Sequence, residues 1–177
     1  PFGWNLPNWL LRREFAAALA ELPAVTHRTG VAATGFLART AETRLRFSDG
    51  SQARARLAIA ADGRNSTLRR AAGIGVRTLR YAQKALAFAV THPEPHGNVS
   101  TEVHRSGGPF TLVPLPDRDG LPCSAVVWME HGPEAQRLLA LDAAAISAAA
   151  TERSAGVQGP LTLTGERSLW PIISQLA

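Results

Sequence analysis

Apolar residues recur at helical spacing over residues 8–22, and this pattern predicts an amphipathic helix. The residues of its apolar face are Leu11, Phe15, Ala18, Leu19 and Leu22. Pro7 and Asn8 favour a helix start, and Pro23 cannot continue a helix. We therefore expect the first element of the chain to be a helix that ends before Pro23.

Shorter apolar runs predict strands in the part that follows. Residues 31–38 form one candidate, and residues 43–47 and 53–60 form two more on either side of Ser48-Asp49-Gly50-Ser51. Because Asp-Gly readily adopts the backbone of a tight turn, the second and third runs predict a β-hairpin.

The next stretch is the most informative. The apolar run Leu57-Ala58-Ile59-Ala60-Ala61 predicts the end of a strand, which leads into the turn Asp62-Gly63. A helix is expected after this turn, with Asn65 or Ser66 as its cap and Gly73 near its end.

After Gly75 the pattern changes to short strands separated by clusters rich in proline and glycine. The four predicted strands cover residues 85–91, 99–104, 110–115 and 124–130. Together they favour a meander-like antiparallel sheet. A helix is predicted over residues 133–153, and strand patterning returns at residues 161–164 and 168–173.

Composition and charge narrow the class of protein. The chain has 177 residues, of which 45% are hydrophobic, and this is enough to bury a core. The net charge is +5 and the pI is about 10.9, which would suit an anionic partner. The arginines are scattered, however, and Lys84 is the only lysine. No basic run is interleaved with aromatic residues, so we expect no nucleic-acid partner.

Cysteine content and chain ends add further expectations. Cys123 is alone, so no disulfide forms within the chain, and a cytoplasmic setting fits. No apolar run approaches the ~20 residues of a membrane span. The chain starts at Pro1 without a methionine and stops at Leu176-Ala177 without a polar tail, so we expect it to be truncated at both ends. The histidines lack metal-ligand spacing, and we assign no metal site and no catalytic residue.

The turn at Asp62-Gly63 carries the strongest chemical signal. A strand would deliver it to the carboxyl edge of a sheet, where open α/β sheets bind ligands. Gly63 lets the backbone approach a sugar or phosphate closely, and Asp62 can accept a hydrogen bond from a ribose hydroxyl. The start of the next helix and Arg69 both attract a pyrophosphate. Taken alone, such a turn is more often structural than ligand-binding.

The residues around this turn resemble class A FAD-dependent aromatic monooxygenases of the p-hydroxybenzoate hydroxylase type, and specifically their ubiquinone-biosynthesis branch. Asp62-Gly63-x-x-Ser66-x-x-Arg69 resembles the family's DG motif. The other matching segments are Asn8-x-x-Leu11-x-x-x-Phe15, Thr29-Gly30-Val31, Gly108-Pro109 to Asp117 with Ala125 to Trp128, and Trp170-Pro171 to Leu176. The resemblance therefore extends over nearly the entire chain.

The resemblance implies a fold and a division of the chain. The expected fold class is α/β (α+β), with part of a Rossmann-like FAD-binding domain and an antiparallel-sheet substrate domain. Residues 1–75 would belong to the FAD-binding domain and residues 76–165 to the substrate sheet with its covering helix. Residues 166–177 would form a strand that returns toward the FAD domain.

The resemblance also implies an activity. Such enzymes use FAD, NAD(P)H and O2 to hydroxylate an aromatic ring, here a prenylated phenol of ubiquinone biosynthesis. The implied cofactor-binding residues are Asp62, Gly63, Val31, Asn8, Arg12 and Arg69. The family's Gly-x-Gly-x-x-Gly and Gly-Asp-Ala-Ala-His motifs are absent, and Trp9 stands where many relatives carry arginine. We therefore expect the chain alone to hold FAD weakly, and leave open whether Asn8 or Arg12 contacts it.

Two alternatives remain at this point. The first keeps the fold but changes the chemistry, as in flavin oxidoreductases that reduce isoprenoid double bonds. The second is a non-enzymatic basic domain that binds nucleic acid or an anionic membrane surface, and it predicts a strong dependence of affinity on salt. For the favoured hydroxylase we also expect peripheral association with the inner membrane or with a biosynthetic complex.

Overall fold

The computed structural model describes residues 3–176 and divides into two compact units. The first unit contains Leu6–Leu79 with residues 175 and 176, and the second contains residues 3–5 with Arg80–Ser174. Helices combine with two antiparallel sheets, which confirms the predicted fold class. None of the helices within the described residues is long and apolar enough to cross a membrane.

The first unit begins with helix α1 (Asn8–Ala20), which confirms the predicted helix and ends it two residues earlier than expected. No residue of α1 is buried, so its predicted apolar face is not covered within this unit. Three antiparallel strands follow, β1 (Ala33–Ala38), β2 (Thr43–Phe47) and β3 (Gln52–Ala55). The short helix α2 (Thr67–Ala71) completes the unit.

The predicted hairpin is confirmed by the pairing of β2 with β3. Gly50 has a φ of +82°, a conformation in which a side chain would be strained, and its N–H donates to the carbonyl oxygen of Phe47 at 3.0 Å. The Asp49 carboxylate accepts from the N–H of Ser51 at 3.0 Å and stabilises the same turn.

The strand predicted over residues 53–60 is only partly formed. β3 ends at Ala55, and residues 57–60 belong to no strand. Leu57 and Ile59 are 72% and 80% exposed. An extended segment becomes a strand only when a neighbour pairs with its backbone, and no neighbour in the described part of the chain does so. The expected sheet edge at Asp62 is therefore absent from this unit.

The second unit is built on a five-stranded antiparallel sheet. Its strands are β4 (Arg77–Thr91), β5 (Thr101–Arg105), β6 (Gly108–Arg118), β7 (Leu121–His131) and β8 (Thr162–Leu176). Their order in the sheet is β5-β6-β7-β4-β8, so β4 pairs with β7 rather than with β5 as a simple meander requires. The link between β4 and β5 is nine residues long and contains Pro93 and Pro95, too long and too stiff for a tight hairpin.

Two further predictions in this unit need correction. The helix expected over residues 133–153 is two helices, α3 (Gly132–Ala140) and α4 (Ala143–Arg153). Leu141 is extended, and Asp142 caps α4 by accepting from the N–H of Ala145 at 2.7 Å, which ends one helix and starts the next. The two short strands expected after residue 160 form the single strand β8.

The core of the second unit lies between the sheet and helices α3 and α4. Its buried residues from the sheet are Leu86, Phe88, Val90, Phe110, Leu112, Val126 and Trp128, and those from the helices are Leu138, Ile146 and Ala150. The rings of Phe110 and Trp128 meet edge to face, with centroids 5.3 Å apart. This apolar layer holds the sheet to the two helices.

Candidate functional site

The turn at Asp62-Gly63 is held against the start of α2 by hydrogen bonds. The Oδ2 atom of Asp62 accepts from the backbone N–H groups of Thr67 at 2.9 Å and Leu68 at 3.4 Å. The Ser66 hydroxyl accepts from the N–H of Arg69 at 3.0 Å and caps the helix, as predicted. The first N–H groups of α2 thus have partners within the protein.

This arrangement corrects one expectation. A pyrophosphate was expected at the start of the helix, but α2 is only five residues long and its leading N–H groups are occupied by Asp62 and Ser66. Hydrogen bonding from the Ser66 hydroxyl, with further bonds from Leu68 and Thr67, holds the pKa of Asp62 below its ordinary value. Asp62 is exposed and ionised at neutral pH, so it remains an acceptor.

Gly63 and Arg69 meet at a cavity of about 380 Å³, which is within the usual range of ligand pockets. Its lining residues are Phe36, Ala58, Ala60, Gly63, Ser66, Leu68, Arg69, Ala72 and Ile74. Gly63 has a φ of +80°, and no atom lies within 4 Å of the point where a Cβ would stand. Bare backbone therefore faces open space, as close approach of a ligand requires.

Arg69 supplies the positive charge at this cavity. One of its terminal nitrogens donates to the carbonyl oxygen of Arg64 at 3.0 Å, and its Nε is buried without a partner among the described residues. Gly63 and Arg69 thus line one cavity, and the binding of a dinucleotide there stays a prediction.

The remaining predicted site residues lie apart from this cavity. Arg12 is exposed on α1 and lines a different cavity, of about 610 Å³, with Trp9, Arg13, Phe15, Ala16, Leu19, His27 and Thr29. Asn8 is exposed at the start of α1, and Val31 is half-buried before β1; neither lines either cavity. The structure thus places Gly63 and Arg69 at one cavity and Asp62 in the turn beside it, and their roles in binding stay predictions.

Sequence reasoning missed the apolar wall of the cavity. Ala58 and Ala60 line it, whereas Leu57 and Ile59, which alternate with them, are exposed. The sequence carries no signal for this arrangement, because the run is apolar throughout and its larger side chains are the exposed ones. Phe36 comes from β1, and only the tertiary structure brings it to the same cavity.

Comparison with curated proteins finds relatives that include ubiquinone-biosynthesis hydroxylases. The chain is 34% identical over all of its 177 residues to ubiquinone hydroxylase UbiL of Rhodospirillum rubrum, of which it covers 40%. It is 28% identical over 146 residues, 82% of the chain, to the 3-demethoxyubiquinol 3-hydroxylase of Escherichia coli, of which it covers 36%. The chain thus spans about two fifths of the length of these relatives.

Comparison with solved structures supports the fold. The flavin-dependent monooxygenase PieE, solved in complex with FAD and substrate, matches 97% of the chain with a TM-score of 0.66 and 17% identity, and the match covers 31% of PieE. PqsL of Pseudomonas aeruginosa, a probable FAD-dependent monooxygenase, matches 88% of the chain with a TM-score of 0.63 and 19% identity, over 46% of its own length. No protein-family model matches the chain.

Proposed function

We propose that this chain, which belongs to the family of ubiquinone-biosynthesis hydroxylases, forms part of an FAD-dependent monooxygenase that hydroxylates an aromatic ring. The substrate is a prenylated phenol of ubiquinone biosynthesis, and NAD(P)H and O2 are the co-substrates. The observation that carries the proposal is the 34% identity to a ubiquinone hydroxylase along the whole chain. The cavity beside Gly63 supports it independently.

The first unit would bind the sugar-phosphate part of FAD. The bare backbone at Gly63 admits a ribose or phosphate, and the guanidinium of Arg69 neutralises the pyrophosphate charge. The Oδ2 atom of Asp62 holds the turn, which leaves Oδ1 to accept from a ribose hydroxyl. When bound, FAD would take a hydride from NAD(P)H and use O2 to hydroxylate the ring.

The second unit would contribute a wall of the substrate cavity. Its sheet is rigid because it is packed on one side against α3 and α4 around a buried core. A wall held in place by this core would suit a prenylated phenol, because it can hold the ring in one orientation and exclude water from the reaction. We extend the proposal to peripheral association of the protein with a membrane or with a biosynthetic complex, because either can hold such a substrate.

The protein that contains these 177 residues provides the test. We expect it to purify with the visible absorbance of bound FAD and to consume NAD(P)H in the presence of a phenolic substrate. Product analysis with and without O2 distinguishes hydroxylation, which requires O2, from double-bond reduction, which does not. A colourless protein that does not bind added FAD would refute the flavin assignment. Formation of the product in the absence of O2 would refute the hydroxylase assignment.

A further inference from the structure

Two histidines lie in the link between β4 and β5, residues 92–100, which we call the β4–β5 loop. His92 is 2% exposed and His96 is half-buried, and their rings meet edge to face with centroids 6.1 Å apart. His96 and Asn98 also line a cavity of about 550 Å³ within the second unit. The contacts that hold the two rings therefore also hold one side of this cavity.

The hydrogen-bond partners of His92 determine which of its ring nitrogens carries the hydrogen. Its Nδ1 atom lies 2.7 Å from the backbone carbonyl oxygen of Glu94, which can only accept, so Nδ1 is the donor. The Nε2 atom of the neutral ring is then an acceptor for the hydroxyl of Ser124 on β7, at 2.9 Å. Neutral His92 thus connects the loop to β7 through a bond between two buried side chains.

His96 is fixed in the opposite tautomer. Its Nδ1 atom lies 3.1 Å from the backbone nitrogen of Asn98, whose N–H can only donate, so Nδ1 carries no hydrogen. The Nε2 atom then carries it and donates to the backbone carbonyl oxygen of Leu115 on β6, at 3.2 Å. The neutral ring of His96 thus connects the loop to β6 and satisfies both of its nitrogens.

Protonation disturbs both connections. A proton on Nδ1 of His96 would face the N–H of Asn98, so that two donors oppose each other. A proton on Nε2 of His92 would displace the bond from the Ser124 hydroxyl. This hydroxyl can turn to the Oε1 atom of Gln158, at 3.4 Å, but the charge on the ring would remain buried. Two positive rings 6.1 Å apart would also repel each other.

The groups around the two rings do not compensate a positive charge. Glu94 in the loop and Asp117 on β6 are both exposed, and no carboxylate of the described residues is buried. On β7, burial raises the pKa of the Cys123 thiol and keeps it neutral. Residues 3–5 and 154–160, which also pack around the loop, contain no titratable side chain. Protonation of the rings therefore weakens the contacts of the loop without forming a buried ion pair.

We propose that His92 and His96 form a pH-sensitive lock, which holds the β4–β5 loop against β6 and β7 while both rings are neutral and releases it when they are protonated. Histidine ordinarily gains its second ring proton near pH 6.5, so the loop is held at pH 8 and released toward pH 5. Release moves His96 and Asn98 and so changes one wall of the cavity that they line. The lock lies within the second unit, and its test requires no flavin.

Hydrogen exchange followed by mass spectrometry tests the lock in the protein that contains these 177 residues, between pH 8 and pH 5. Exchange is expressed relative to unstructured peptides of the same sequence, which removes the intrinsic effect of pH. His92→Asn keeps a donor in place of Nδ1, and His96→Gln keeps a donor in place of Nε2, but neither side chain can be protonated. His104→Gln is the matched control, because His104 is an exposed histidine of β5 outside the loop.

We expect the protection of the β4–β5 loop to fall about tenfold between pH 8 and pH 5, as for the net loss of one hydrogen bond, while β6 stays protected. The control variant His104→Gln should show the same fall, and His92→Asn and His96→Gln should each show a smaller one. Equal protection of the loop at pH 8 and pH 5 overturns the proposal, and so does an unchanged fall in either site variant.

Two further observations keep the test decisive. Loss of protection in β6 at the same pH as in the loop indicates global unfolding and overturns the proposal. If a site variant fails to fold by circular dichroism, or if its loop is already unprotected at pH 8, the ring tautomers of the unchanged protein decide. Nitrogen NMR at pH 8 should place the hydrogen on Nδ1 of His92 and on Nε2 of His96, and any other assignment overturns the lock.

Discussion

The Asp62 carboxylate accepts a hydrogen bond from the backbone N–H of Thr67 at 2.9 Å, across the turn that carries Gly63. One oxygen of this side chain thus orients the turn, and the other is the atom that we propose for the contact with a ribose hydroxyl. A single residue therefore connects the local structure of the motif with the proposed contact to FAD. The first prediction follows from this double role.

Replacing Asp62 with alanine should weaken FAD binding about tenfold in the protein that contains this chain, because one charge-assisted hydrogen bond is lost and the turn loses its cap. Titration followed by flavin fluorescence measures the change. Asp49→Ala is the control, since Asp49 also stabilises a turn in this unit but, unlike Asp62, is not next to a residue that lines the cavity. Unchanged FAD affinity in Asp62→Ala would remove this residue from the site.

Replacing Gly63 with alanine should destabilise the fold and also reduce FAD binding. The φ of +80° costs an alanine roughly 1–2 kcal/mol, and its methyl group would occupy the space that we assign to the ligand. Gly50→Ala is a close match, because Gly50 has a φ of +82° and equally open surroundings. We expect similar losses of stability in thermal melts but a loss of FAD affinity only for Gly63→Ala. Equal FAD affinities would contradict the proposed approach to Gly63.

Acid should destabilise the first unit. The pKa of Asp49 is lowered chiefly by hydrogen bonds from Ser51, and that of Asp62 chiefly by the Ser66 hydroxyl. Because both folded pKa values lie below the unfolded ones, their contribution to stability is present above about pH 4 and is lost as the pH falls through the folded pKa values. Thermal melts between pH 7 and pH 2 should show this decline, and Asp49→Asn should make it shallower. A melting temperature independent of pH would contradict this account.

Replacing Phe110 with alanine should strongly destabilise the second unit. Phe110 is fully buried and packs against Trp128, so the change leaves a cavity and should cost about 3–5 kcal/mol. Denaturation by urea, followed by circular dichroism, measures the change in the free energy of unfolding. Phe15→Ala removes the same ring from a position that is 64% exposed and should change stability little. Comparable losses of unfolding free energy for the two variants would show that the side of α1 that carries Phe15 is covered in solution.

Several elements could be predicted because their signals are local. The Asp49-Gly50 turn needs only a residue that tolerates positive φ and a carboxylate beside it. The end of α2 is equally local: Gly73 adopts a φ of +70°, and the N–H groups of Gly73 and Ile74 bond back to the carbonyl oxygens of Arg70 and Arg69. Such features depend only on residues that are a few positions apart in the sequence.

Other features could not be predicted, because they depend on partners distant in sequence. The run at residues 57–60 has the composition of a strand, but no neighbour pairs with it in the described chain. The position of β4 beside β7 follows from pairing across the 29 residues 92–120, which no local pattern specifies. Phe36 reaches the cavity beside Gly63 for the same reason.

The amino-acid sequence was thus sufficient to identify the turn at Asp62-Gly63, its Ser66 cap, the main helices and strands, and the resemblance to ubiquinone-biosynthesis hydroxylases, since each depends on short-range backbone preference or on matched residues in order. Tertiary structure alone decided which predicted site residues share a cavity. It also decided that Asp62 and Ser66 occupy the start of α2, and that Arg153 and Trp128 are buried. Burial and hydrogen-bond partners are set by how separate segments pack, and that information is distributed over the whole fold.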